Sequence, residues 1–144
     1  MAPYYNSQSS TSIANWATNK LYPGTWGCAE GKWVKFCIPS KDLKTVTDPK
    51  PILDYYDQIY EAYHTLRGTL PTSMRRQWIV SDILPSAGYM HSGYPIVTMM
   101  DVATSTNNNF VFNLNYLRTN GHWGFFHEIG HNMQRGWWTY DGTV

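Results

Sequence analysis

The sequence predicts one domain of the α+β class, with strands that precede a helix near the C-terminal end. Three observations predict it: alternating apolar segments in the middle of the chain, one long amphipathic segment, and a second helical segment between residues 121 and 134. The chain has 144 residues, of which 42% are hydrophobic and 16% aromatic. That apolar content is sufficient for one domain with its own core.

Charge and hydropathy argue against nucleic-acid binding and against a membrane-spanning segment. The net charge of +1 gives no electrostatic reason to expect binding to nucleic acid. We find no apolar run near the roughly 18–20 residues that span a bilayer, and no signal-peptide pattern at the N-terminus. Residues 1–15 are polar and are expected to form a flexible lead-in, so residues 16–144 are expected to form the domain.

The first two predicted elements are a strand and a long helix. Residues 32–39 alternate, which predicts a strand that ends at Pro39. Asp48 suits the N-cap of the helix, Pro49 its first position, and Gly68 the residue just past its end. The apolar stripe of this helix indicates core and rim packing rather than a binding surface. Its members are Ile52, Tyr55, Tyr56, Ile59, Tyr63 and Leu66.

Three further strands are predicted after the helix, at residues 76–84, 95–100 and 110–117. A glycine-bearing loop separates the first two, and the turn at 104–109 separates the last two. The strand at 95–100 is a candidate edge strand for pairing with an extended substrate.

The sequence "GHWGFFHEIGHNMQ" (121–134) contains His127, Glu128 and His131 in the order H-E-x-x-H. Residues four apart lie on one helical face, so both imidazoles can bind one zinc ion (Zn2+). Glu128 is rotated by roughly 100° from His127, within reach of a metal-bound water. Zinc lowers the pKa of that water to about 7, and Glu128 would accept its proton and pass it to the leaving amine. The motif therefore predicts a metal-activated water that hydrolyses peptide bonds.

The sequence does not identify the third zinc ligand. The metzincin continuation H-x-x-G-x-x-H fails, because Gln134 and Trp137 stand where Gly and His are required. A gluzincin would take a Glu from a following helix, but no Glu follows His131. Asp141 is a weak candidate within the chain, and we expect the third ligand beyond Val144, with the domain continuing there.

Three other residues are candidates for a substrate cleft. His91 and His122 lie in glycine-bearing loops, where either could contact substrate or remain an ordinary loop histidine. Tyr140 precedes Asp141 in a turn and could line the same cleft.

The residues "FFHEIGHNMQ" followed by "WWTYDGTV" resemble the enhancin-like zinc metallopeptidases (peptidase family M-sixty), which include mucin-degrading enzymes. The segment "SAGYMHSGYPIV" is similar to one found in the TRP-channel-associated factors. The resemblance implies the N-terminal part of a gluzincin-type catalytic domain, with zinc on His127 and His131 and a Glu just after position 144 as third ligand. It also implies protein or O-glycosylated mucin-like substrates, and favours an extracellular or cell-surface location.

Two other functions stay open. One is a non-catalytic regulatory or binding module that resembles the TRP-channel-associated factors and does not need Glu128. The other is a structural zinc site with Cys28 and Cys37 as ligands. These cysteines could instead pair across a hairpin or remain buried free thiols.

Overall fold

A computed structural model describes residues 1–82 and 90–134 of the chain. Within these residues, six strands form one sheet in the order β1-β2-β3-β4-β6-β5. The strands are β1 (Tyr4–Asn6), β2 (Trp26–Glu30), β3 (Val34–Pro39), β4 (Gln77–Ser81), β5 (Met90–His91) and β6 (Ile96–Thr98). The helices are α1 (Ser10–Asn19), α2 (Ser40–Leu43), α3 (Lys50–Arg67), α4 (Leu114–Asn120) and α5 (Trp123–Met133), with short 3-10 turns at Pro71–Ser73 and Met100–Ala103.

The sheet is mixed, as the α+β class permits. Strands β2 and β3 form an antiparallel hairpin, and β5 pairs antiparallel with β6. The other neighbours, β1 with β2, β3 with β4 and β4 with β6, are parallel. Strand β6 is therefore interior, so the edge position that we predicted for residues 95–100 belongs to β5.

Helices α3 and α5 pack on one face of the sheet. The ring of Phe36, on β3, lies 4.6 Å from the ring of Tyr56 on α3 and 6.2 Å from that of Phe125 on α5. All three side chains have 0% exposure. This aromatic contact fixes α5 against the centre of the sheet.

The predictions for α3 are largely confirmed. Gly68 has φ +76° just past the last helical residue, as predicted. The helix starts one residue later than predicted, because Pro49 is the N-cap rather than the first helical residue, and the Asp48 carboxylate accepts a hydrogen bond from the Lys50 N–H at 3.2 Å. The tyrosine stripe is packing, as predicted: the Tyr56 hydroxyl donates to the Val111 carbonyl at 3.1 Å. The buried face is rotated from the predicted stripe, since Leu66 is 79% exposed whereas Tyr60 is fully buried.

Two polar side chains on α3 are buried. Asp57 accepts hydrogen bonds from the backbone N–H groups of Lys32 and Trp33, both at 2.8 Å, and so fixes the turn between β2 and β3. His64 is 1% exposed and its Nδ1 lies 2.8 Å from the Thr69 hydroxyl. Burial lowers the pKa of His64, because the charged imidazolium loses its hydration there.

The predicted flexible lead-in at residues 1–15 is wrong. Strand β1 and the first part of α1 lie in this segment, and Ser9 caps α1 by accepting a hydrogen bond from the Ser12 N–H. The Tyr5 and Trp16 rings pack 5.5 Å apart and are 1% and 3% exposed. Two buried aromatic side chains and pairing with β2 thus order a segment whose average composition is polar.

The predicted strand at 110–117 is also wrong. Phe110, Val111 and Phe112 are buried, but the segment is a loop followed by α4. Asn113 begins this helix, because its side chain accepts a hydrogen bond from the Tyr116 N–H at 3.2 Å. The turn at 104–109 is confirmed, and the strand predicted at 76–84 is β4, with residues 83–84 outside the described residues.

Cys28 and Cys37 form a disulfide between facing residues of the β2–β3 hairpin. The hairpin alternative is therefore confirmed, and the structural zinc site built on free cysteines is contradicted. In the described ranges we find no helix with the length and apolar character of a membrane span.

Candidate metal centre

Helix α5 carries the whole H-E-x-x-H motif. It starts directly after His122, whose Nδ1 accepts a hydrogen bond from the Phe125 N–H at 3.5 Å, and after Gly121, which has φ +66°. The apolar face of the helix is buried, with Phe125 and Ile129 at 0% exposure and Met133 at 2%. Because this face is fixed in the core, the opposite face presents the motif histidines outward.

The two motif imidazoles face each other. The Nε2 atoms of His127 and His131 lie 2.8 Å apart, and the ring centroids lie 4.4 Å apart. The Nδ1 atom of His131 lies 3.1 Å from the Gln134 side-chain oxygen, which can only accept a hydrogen bond. This contact assigns the proton of a neutral His131 to Nδ1 and leaves a lone pair on Nε2.

Glu128 lies on the flank of this pair. It is 9% exposed, one residue along the helix from His127 and therefore on a different face. Within residues 1–82 and 90–134, no hydrogen-bond partner of its carboxylate is found. A carboxylate on the residue next to His127 can act as a proton acceptor for a polar group held at the imidazole pair, although Glu128 is not among the residues that line the groove described below.

A groove of about 410 Å³ opens at the imidazole pair. It is lined by Tyr63, Trp123, Phe126, His127, Gly130, His131 and Gln134. A Cβ placed on Gly130 would meet its nearest neighbour, the Tyr63 ring, at 3.7 Å, so the described residues leave room there for a side chain. Within the described residues, no close approach of another element accounts for a glycine at this helical position.

The Asn132 side chain connects helix α5, which carries the H-E-x-x-H motif, to the sheet through hydrogen bonds. Its Nδ2 donates to the Gln77 side-chain oxygen at 2.8 Å and to the Gly93 carbonyl at 2.9 Å. Its Oδ1 accepts a hydrogen bond from the Gly93 N–H at 2.8 Å. The residue next to His131 is thereby tied to β4 and to the turn between β5 and β6.

Sequence reasoning missed two features of this site. Tyr63 was assigned to the packing stripe of α3, but it also lines the groove and donates a hydrogen bond to the Phe126 carbonyl. The role of Gln77 was missed altogether. Both contacts join residues more than 50 positions apart, and a single sequence carries no local signal of such a contact.

The other candidate residues have varied positions. His91 lies on edge strand β5, and His122 caps α5, where burial lowers its pKa. Tyr140 and Asp141 lie outside the described residues. Among the described residues, no third His, Cys, Asp or Glu joins the pair to form a group able to hold a metal ion.

The donor set nevertheless fits zinc. Two imidazoles on one helical face, one with its tautomer fixed by an amide oxygen, match in type two of the three protein ligands that a catalytic zinc requires. The neighbouring carboxylate of Glu128 is not needed as a ligand.

The whole chain matches a protein-family model described as "Peptidase M60, enhancin and enhancin-like", over residues 1–144. A curated relative, TRPM8 channel-associated factor 2 of Mus musculus, is 36% identical over 138 residues, which cover 94% of this chain and 14% of the relative. The chain thus spans only a small part of the length of this relative.

Two solved structures share the fold. A functionally unknown conserved protein from Bacillus anthracis str. Ames has a TM-score of 0.76 at 21% identity, over 99% of this chain and 31% of that one. The M60 catalytic domain of Clostridium perfringens ZmpC, in complex with the sialyl T antigen, has a TM-score of 0.69 at 13% identity, over 97% of this chain and 30% of that one. At these identities the likeness concerns the fold alone.

Proposed function

This chain belongs to the peptidase M60, enhancin and enhancin-like family, and we propose that it carries the zinc-binding helix of a zinc-dependent endopeptidase. The observation that supports this proposal best is the pair of Nε2 atoms, 2.8 Å apart, at the edge of an open groove. A pair that served only to pack the helix would be buried, whereas His127 is exposed.

His127 and His131 would hold the metal through their Nε2 atoms. Gln134 keeps His131 in the tautomer that this requires, and Asn132 keeps the helix fixed against the sheet. Bound zinc would supply Lewis-acid polarisation of the scissile carbonyl and a water of lowered pKa. Glu128 would accept the proton from the attacking water and donate it to the leaving amine.

We propose a third ligand from residues that follow Val144 in a longer chain, with Asp141 as the weaker candidate. The proposed substrates are proteins or O-glycosylated mucin-like proteins. The ZmpC domain bound to the sialyl T antigen supports this class, since it has the same fold.

The test measures zinc per chain and protease activity for the 144-residue chain and for a version extended beyond Val144. We expect one zinc and cleavage of mucin or unfolded protein in the extended form. Glu128→Gln should keep the zinc and abolish cleavage, whereas His127→Ala should lose both and still fold. An extended form that folds without binding zinc would contradict the metal assignment.

The second candidate function is a non-catalytic regulatory module. The 36% identity to TRPM8 channel-associated factor 2 favours it. An extended chain that binds zinc but cleaves neither substrate, and whose binding partners are retained by Glu128→Gln, would support this candidate over the peptidase.

A further inference from the structure

A second feature lies on the face of the sheet opposite α3 and α5. Side chains alternate along β3 and β4, so Phe36 and Ile79 are buried beneath the helices, while Lys35 and Trp78 point away from them. Lys35 and Trp78 are direct partners across the parallel pair of strands. Trp78 is 41% exposed, so part of its ring is accessible to a binding partner.

A groove of about 300 Å³ lies beside this pair. It is lined by Lys35, Arg75, Arg76, Gln77, Trp78 and Tyr94. Three of these described residues are cationic and none is an Asp or Glu. The groove is therefore locally basic, although the chain as a whole has a net charge of only +1.

Two of the three cations have no carboxylate partner within the described ranges. The Arg75 guanidinium lies 4.5 Å from the centroid of the Tyr94 ring, and the Lys35 ammonium lies 5.9 Å from that of the Trp78 ring. Arg76, in contrast, pairs with Glu30 at 2.6 Å. An aromatic ring orients a cation without neutralising it, so Lys35 and Arg75 keep charge and N–H donors for an anion.

We propose that this basic aromatic groove binds the carboxylate side chains of an acidic polypeptide segment. A guanidinium presents paired donors that match a carboxylate, and the exposed Trp78 ring covers the aliphatic part of a Glu side chain. Nucleic acid fits less well, because its affinity comes from many phosphate contacts and the groove offers two unpaired cations.

The test is a fluorescence anisotropy titration of the whole chain with a short labelled peptide of alternating Glu and Gly. The reference peptide has Gln in place of every Glu. We expect binding of the Glu peptide only, weakened by added salt because the charges are exposed. The double variant Lys35→Gln/Arg75→Gln should raise the Kd by about tenfold or more, the loss expected for two charge-assisted contacts.

Lys32→Gln is the matched control. The Lys32 ammonium lies 4.9 Å from the Trp33 ring, so it forms the same kind of contact outside the groove. Its substitution should change the Kd by less than about twofold, as for an exposed charge without a role in binding. Equal binding of both peptides, an unaffected double variant, or tighter binding of a single-stranded oligonucleotide would each overturn the proposal. The comparison of peptides does not depend on the folding of any variant.

Discussion

The Asn132 side chain should matter more to the candidate site than its half-buried position indicates. It makes three hydrogen bonds, one to Gln77 and two to the backbone of Gly93. Asn132→Ala removes all three and leaves the Gln77 side chain, which has 0% exposure, without this donor. The imidazole pair on the outer face of α5 is not touched by the substitution.

The expected loss follows from the hydrogen bonds. At about 1 kcal/mol net for each bond, with a further cost for the buried acceptor left unpaired, the free energy of unfolding should fall by roughly 2–4 kcal/mol. Urea unfolding followed by circular dichroism measures this loss. Asn120→Ala is the control, since its side chain makes one exposed bond to the Tyr116 carbonyl at 3.3 Å. Its cost should stay below about 0.5 kcal/mol.

A double-mutant cycle then tests the origin of the loss. Because Asn132 and Gln77 contact each other at 2.8 Å, their alanine substitutions should be non-additive by about 1 kcal/mol. If Asn132→Ala lowers the free energy of unfolding by less than about 0.5 kcal/mol, or if its effect is strictly additive with that of Gln77→Ala, then Asn132 does not stabilise the packing of α5 on the sheet.

Three further outcomes are expected. The lowered pKa of His64 means that its contribution to stability is complete above the unfolded-state pKa of about 6.5 and is lost as pH falls. His64→Phe should therefore reduce the fall in unfolding free energy between pH 7 and pH 5, and an unchanged pH slope would contradict this. Reduction of the Cys28–Cys37 disulfide, which closes a loop with a sequence separation of 9, should cost roughly 2–3 kcal/mol in urea unfolding, with the double Ser variant insensitive to reductant. Gly130→Ala should raise the unfolding free energy by up to about 1 kcal/mol, since a helical glycine is replaced where there is room. Gly124→Ala should gain less, because its Cβ would meet the Met90 sulfur at 2.8 Å, and equal gains would contradict the packing.

The position of helix α3 could be predicted because residues close to each end determine where the helix starts and stops. Asp48 and Gly68 act through contacts within a few positions, so the sequence around each end is sufficient to locate that end to within one residue. The segment at 110–117 shows the opposite case. Its alternation is that of a strand, but the Val111 N–H donates to the Val102 carbonyl at 2.7 Å and Asn113 starts a helix. Alternating apolar residues indicate which side chains are buried, but they do not indicate whether a neighbouring strand is present to pair with the segment.

The candidate site also has one part that the sequence predicts and another part that it does not predict. The positions of His127 and His131 on one face follow from helical geometry alone, so the motif was sufficient to predict them. The contacts that fix the helix, through Asn132 to Gln77 and through Tyr63 to the Phe126 carbonyl, join distant parts of the chain. Such contacts depend on the order of strands in the sheet, which the sequence does not encode locally.

The buried face and the exposed face of α5 have different roles in the proposed functions. Phe125 and Ile129 are fully buried and are sufficient to hold the helix in the core, whether or not the protein is an enzyme. His127 is exposed and adds little to that packing, so stability does not explain its approach to His131. A regulatory module that used only the fold would need the buried face and not the imidazole pair. Metal binding on the exposed face, measured separately from folding, therefore tests the peptidase proposal, and loss of cleavage in Glu128→Gln with the metal retained tests the proposed role of Glu128.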